Sequence, residues 1–220
     1  MAKHLQRDLD HLKHEILTVG TLVEEAIGKS LRLLADRDPA LIEEILKGDA
    51  TIDEREVEVE EECLKVMALH QPMAADLRFV IAVLKVNNDL ERMGDLACNI
   101  AKRCRHALMR PEPPRLVDFD ALGEKVLGMV HASLEALVHQ DAAMAREVCR
   151  MDEEVDEIHR ANYDLLKRRM REEPDAVEDA VNALTVSRSL ERIADLATNV
   201  AEDIVFMVDG DVIRHQADGH

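Results

Sequence analysis

The sequence predicts an all-α protein built as two tandem three-helix bundles. Aromatic residues make up only 2% of the chain and Trp is absent, while Ala, Val, Leu, Met, Glu and Arg abound. Helices favour that mixture and strands do not. The prolines fall between long stretches of helical periodicity rather than inside them. The chain also repeats itself: DLERMGDLACNIA over 89–101 returns as SLERIADLATNVA over 189–201. Glu91, Arg92, Asp95, Leu96, Ala97, Asn99 and Ala101 all recur 100 residues later, which marks two related halves.

The first helix is expected from about Leu5 to Ala35, closed by Asp38-Pro39, where Asp38 suits an N-cap and Pro39 a first helical position. The second runs from Ala40 to about Leu69 and stops before Gln71-Pro72; Gly48 is a point where it can bend. The third starts near Met73 or Ala74 and reaches about Met109. MRPEPPR, 109–115, holds three of the six prolines and separates a first repeat over 1–110 from a second over 116–213. Three helices follow, at about 118–138, 141–171 and 175–209, with Pro174 between the last two and Gly210 ending the sixth. The tail from Asp211 is expected to fray, apart from Val212 and Ile213.

The repeat extends beyond its core motif. Ser30, Leu31, Leu34 and Asp38 return as Ser133, Leu134, Leu137 and Asp141, and Asp49 and Asp53 return as Asp152 and Asp156. The offset here is 103, so about three residues change before the last helix of each half. Asp49 and Asp53 lie one turn apart on the second helix, as do Glu91 and Asp95 on the third. The two pairs are equidistant from Pro72; in the second half Asp152, Asp156, Glu191 and Asp195 centre on Glu173-Pro174. If each turn folds its helices into an antiparallel hairpin, the pairs meet at one level, roughly 30 Å from the turn. Asn99 and Asn199 sit one turn further along. The apolar seam of the third helix runs through Val86, Leu90, Met93, Ala97, Ile100 and Cys104, and the acidic residues point away from it. The site is therefore expected at the bundle surface.

Carboxylates held this close repel, and a multivalent cation removes the repulsion. Oxygen ligands suit magnesium, calcium, manganese or iron. The Glu-x-x-His of di-iron bundles is missing; the nearest match is Asp156-x-x-His159, which could add a nitrogen ligand in the second half. The competing reading pairs these acids with neighbouring arginines on a solvated face. No nucleophile stands beside a base and there is no Gly-rich phosphate loop, so nothing looks catalytic. His4, His11 and His14 share one side of the first helix and read as exposed or satisfied histidines, and the methionines read as core filler.

The charge of -18 argues against DNA or RNA as a partner and against an anionic membrane surface, and it fits a cation binder or a protein that docks on basic partners. MAKHLQRDLD has no apolar core of a secretory signal, and no stretch approaches the roughly 20 apolar residues of a membrane span. Cys63, Cys98, Cys104 and Cys149 form no CxxC and read as reduced thiols in helices of a cytoplasmic protein.

QPMAADLRFVIAVLKVNNDLERMGDLACNIA (71–101), SLERIADLATNVAED and the ending GDVIRH resemble the PhoU family of bacterial phosphate-transport accessory and regulatory proteins, over both halves. The resemblance implies two three-helix bundles and a cytoplasmic protein, commonly a homodimer. It also implies a negative regulator of the phosphate-starvation response, with the ATPase subunit of the phosphate ABC transporter and a sensor histidine kinase as partners. Members of the family can carry iron or other metal clusters at the acidic motifs, so iron, zinc, magnesium or manganese is expected at the eight carboxylates with Asn99 and Asn199. Leu96 and Leu196 stand where the family often has His after the Asp, which removes a possible nitrogen ligand, and Met93 replaces the commoner Ile. Leu77, Val80, Ile81 and Leu84, which nearly encircle the third helix, offer a face for a partner or a second subunit. A metal-dependent hydrolase or oxidase, and a metal buffer, are the alternatives built on the same carboxylates.

Overall fold

The structure is a computed structural model that describes residues 2–108 and 116–213. Six long helices appear in order: α1 (Ala2–Asp36), α2 (Ala40–His70), α3 (Ala75–Leu108), α4 (Asp120–His139), α5 (Ala142–Glu172) and α6 (Val177–Asp209). Among the described residues there is no strand. The proline-rich break at 109–115 and the tail beyond 213 lie outside the described residues.

The helix ends follow local chemistry. The Asp38 carboxylate accepts from Ala40 N at 2.9 Å, and its repeat-mate Asp141 accepts from Ala143 N and Met144 N at 2.9 and 3.0 Å, which satisfies N–H groups that have no intrahelical partner. Helix exits use left-handed backbone at Arg37, Gln71 and Gln140 as well as at Gly210. The expected start of the sixth helix at Asp175 is instead a 3-10 turn over Pro174–Ala176, and α6 begins at Val177. α2 continues through Gly48, where an added Cβ would meet nothing.

Neighbouring helices run antiparallel. Asp8 meets His70 at 2.9 Å and Lys29 meets Glu44 at 3.4 Å, which sets α1 against α2. The two halves join only through α1 with α4 and α3 with α6, among the described residues, so α2 and α5 lie on opposite outer sides. This junction has approximate twofold symmetry. Leu134 fills the space where a Cβ on Gly20 would come within 2.5 Å of it, and Leu31 does the same at Gly123, at 2.6 Å. Gly20 and Gly123 are 103 positions apart, as are Leu31 and Leu134. Each glycine is the hole for the other half's leucine, and the close approach of α1 to α4 requires both.

Along the second seam, Arg78 Nε donates to Met207 O at 3.3 Å and Lys85 binds Asp203 at 3.1 Å. One continuous apolar cluster, from Leu9 on α1 to Met207 on α6, extends across both halves. The expected free face at the start of α3 is largely used by this packing. Val80 is 0% exposed and Ile81 and Leu84 are partly covered, whereas Leu77 is open. Contacts from α1, α2 and α6 converge there. Cys63, Cys98 and Cys104 are buried and Cys149 is partly buried, all unpaired. Burial pushes the first two thiols up to about 12 and the other two to about 11, so they stay protonated. No helix among the described residues is long and apolar enough to cross a membrane.

Candidate functional site

The α2–α3 hairpin has the register that the turn at Pro72 dictates. Cys63 Sγ lies 4.0 Å from Val80 O, Asn87 Nδ2 donates to Glu56 O at 2.8 Å, and Cys98 Sγ lies 3.8 Å from Ile45 O. These contacts step evenly along both helices and bracket Asp49 and Asp53 opposite Asp95 and Glu91. Gly94 tightens the approach. A Cβ there would lie 3.2 Å from Ile52 Cδ1 and 3.9 Å from Asp49 Oδ1. In the second half the equivalent pair is Ala194 and Val155, so one methyl group has moved from the outer helix to the inner one.

The acidic side chains stand at the surface, as the sequence suggests. Asp53, Asp95 and Asp195 are exposed, and Asp49, Glu91, Asp152, Asp156 and Glu191 are partly covered. They are close enough to hinder one another's ionisation. Partial burial, then the charges of Asp49 and Asp95, raise the Asp53 carboxyl above its usual range. Burial and then Asp95, Asp53 and Glu56 raise Glu91. In the second half, burial and the charges of Asp195, Asp156 and Glu191 push Asp152 up to about 6. Glu191 and Asp195 are raised as well, by burial first and by carboxylate neighbours second.

Arginines stand near the clusters: the charges of Arg92, Arg188 and Arg192 partly offset the shifts of Glu91, Glu191 and Asp195, but close ion pairs are few. Among the described residues, of the eight carboxylates only Asp156 has an ion-pair partner within 4 Å, Arg160 at 3.8 Å. Arg92, the nearest sequence candidate for Glu91, lies instead 3.7 Å from Asp89. Asn99 is exposed on α3. Asn199 opens onto a different crevice, between α3 and α6, with Asn88, Asp89, Arg92, Glu202 and Asp203.

Two further positions belong to the site and escape the acidic motif. Glu56, one turn beyond Asp53, is raised by burial and then by Glu60 and Asp53. Its repeat-mate, 103 residues on, is His159, lowered by burial and touched by the charges of Asp156 and Asp195. Each is held by the same position of the inner helix. Asn87 Nδ2 lies 3.2 Å from Glu56 Oε1, and Ser187 Oγ lies 2.9 Å from His159 Nδ1. Applying the two repeat offsets to Glu56 would have found the pair.

The donor set suits a hard cation in kind: carboxylates from two facing helices at one level. Asn87 adds a specific observation. It is 1% exposed, its Nδ2 is engaged with Glu56, and its Oδ1 has no hydrogen-bond partner among the described residues. A buried amide oxygen left this way costs about 1–3 kcal/mol, and the residue that carries it touches Glu56. Among the described residues, no three His, Cys, Asp or Glu side chains converge tightly enough in this conformation to chelate an ion.

A family model, the PhoU domain, matches this chain twice, over residues 16–104 and 119–204. The chain is 38% identical over 214 residues to the phosphate-specific transport system accessory protein PhoU homolog of Aquifex aeolicus, covering 96% of each chain. It is 30% identical over 208 residues to the Escherichia coli phosphate-specific transport system accessory protein PhoU, covering 94% of this chain and 86% of that one. The crystal structure of PhoU from Pseudomonas aeruginosa superposes with a TM-score of 0.91 at 34% identity, covering 94% of this chain and 99% of the other. That of the Streptococcus pneumoniae phosphate transport system regulatory protein PhoU gives 0.83 at 30% identity, covering 94% and 98%.

Proposed function

The chain belongs to the PhoU family, and from that premise we propose that it is an accessory regulator of phosphate transport that acts by docking, with two cation sites built into its outer hairpins. Its partners are the ATPase subunit of a phosphate ABC transporter and a sensor histidine kinase, and it works in the cytoplasm as a homodimer. It limits phosphate uptake and represses the phosphate-starvation response, and it catalyses no reaction. Its two repeats, over 1–110 and 116–213, supply one site each.

What supports the cation sites is that seven of the eight carboxylates have no ion-pair partner within 4 Å among the described residues, and that the acids stand at matching levels in the two halves. Asp49, Asp53, Glu91 and Asp95 hold the ion in the first half, and Asp152, Asp156, Glu191 and Asp195 in the second. Bound metal supplies the positive charge that cancels their repulsion and fastens each outer helix to its inner partner. The outer helices are the ones that the junction between halves leaves free, so cation binding stiffens the surfaces most open to docking. A net charge of -18 fits docking on basic protein surfaces.

The test is genetic and chemical. Deleting the gene derepresses a phosphate-response reporter in phosphate-replete cells; an unchanged reporter refutes the regulatory reading. Elemental analysis of purified protein shows metal that is lost in part from the Glu91→Ala, Asp95→Ala double variant. Unchanged loading refutes the first-half site.

A further inference from the structure

We propose that the two cation sites differ in selectivity, because the first is closed by Glu56 as an all-oxygen site for hard ions such as Mg2+ or Mn2+, whereas the second offers the His159 imidazole and takes Zn2+ or Fe2+. This rests on the reading above, that both clusters bind cations. What it adds is that the duplicated site has diverged.

Positions 56 and 159 are related by the same 103-residue offset as Asp53 and Asp156, and each lies one turn further along its outer helix on the same face. Each is fixed from the inner helix by position 87 or 187, which are related by the other offset, 100. Asn87 is 1% exposed and Ser187 0%. Both halves therefore use a buried polar group on the inner helix to hold one outer-helix side chain next to the acidic row. The holding group changes from Asn87 to Ser187, and the side chain that it holds changes from carboxylate to imidazole.

The chemistry of that change is selective. Carboxylate and carbonyl oxygens suit magnesium, calcium and manganese, whereas an imidazole nitrogen shifts preference toward zinc, iron and nickel. Metal-bound histidines usually engage their second ring nitrogen with a fixed hydrogen-bond partner, which sets the tautomer and aims the lone pair. Ser187 occupies that place: its Oγ lies 2.9 Å from His159 Nδ1, and in the tautomer whose Nδ1–H donates to that oxygen the lone pair sits on Nε2. Asn162 Nδ2 approaches the same hydroxyl at 3.4 Å and helps fix it. In the first half the neutral donor beside Glu56 is the Asn87 carbonyl oxygen, again an oxygen.

The experiment uses the full chain, stripped of metal, in two forms that isolate one site each: Glu91→Ala with Asp95→Ala, and Glu191→Ala with Asp195→Ala. Calorimetric titration with ZnCl2 and with MnCl2 gives the preference of each site. The protein retaining the second-half site binds Zn2+ at least tenfold more tightly than the one retaining the first, and this advantage is absent for Mn2+. In the protein retaining the second-half site, Ser187→Ala weakens Zn2+ binding about 10- to 100-fold, the range for loss of a partner that orients a ligand. Glu56→His in the first-half form raises its Zn2+ affinity, a gain that misfolding cannot produce. With 15N-labelled histidine, the Nε2 resonance of His159 moves on Zn2+ addition. Equal Zn2+ preference in the two halves, or a His159 resonance unmoved in zinc-loaded protein, overturns the proposed divergence while the shared cation reading stands. Absence of cation binding in both forms overturns both.

Discussion

Asp152 offers a direct measure of what the second carboxylate group costs the metal-free protein. Its carboxyl is pushed up to about 6 from an ordinary 3.8, by burial first and by Asp195, Asp156 and Glu191 next. A raised acid means that the folded chain holds the proton more tightly than the unfolded chain does. Folding is therefore penalised as the pH rises above the unfolded value, in full once it passes the folded one, and the penalty fades as the pH falls back toward the unfolded value. A shift of about two units corresponds to roughly 3 kcal/mol at about pH 7.5, falling to roughly 1 kcal/mol at about pH 4.5. The site is open on one side, and solvent screening lowers the first figure to about 1–2 kcal/mol. Asp152→Asn removes the charge with little change of shape. In EDTA-treated protein the variant is expected to be more stable than the parent by that amount near pH 7.5, and the two should converge on acidification. Urea unfolding followed by circular dichroism at both pH values measures the difference. Saturating cation should reverse the order, because the parent gains binding free energy that the variant largely loses. A variant less stable than the parent in EDTA at about pH 7.5, or an advantage independent of pH, refutes the reading of these carboxylates as mutually repelling.

Three further outcomes test the packing that positions the sites. Gly20→Ala and Gly123→Ala each drive a methyl group into a leucine of the other half and should destabilise by about 1–3 kcal/mol; pairing Gly20→Ala with Leu134→Ala should cost less than the two single losses added, as a double-mutant cycle would show. Gly48→Ala fills open space in a helix interior and should raise stability by about 1 kcal/mol, seen as a higher Tm. Asp141→Ala removes the acceptor for Ala143 N and Met144 N and should lower stability by about 0.5–2 kcal/mol, measured by the same unfolding experiment.

The helices, their order and their hairpin register were legible in the sequence because each depends on local rules. Proline and capping residues set the ends, and a fixed rise per residue sets how far each acidic pair lies from its turn. Asp49 opposite Asp95 and Asp152 opposite Asp195 follow from counting residues out from Pro72 and Pro174. The repeat offsets likewise follow from the letters alone. The rotation of each helix about its axis does not, because side chains distant in sequence decide it. Val80 had the pattern of a free face and is buried by the convergence of α1, α2 and α6 on α3. Asn199 shares the spacing of the acidic motif and also lines the α3–α6 crevice, which only packing defines. His159 is readable from its spacing to Asp156, but the contacts that hold Glu56 and His159, from Asn87 and Ser187 across a hairpin, are not. The reciprocal glycine–leucine joint between α1 and α4 is likewise a property of packing. Periodicity is written along the chain, but the choice of neighbour is made where separate faces compete for the same buried space.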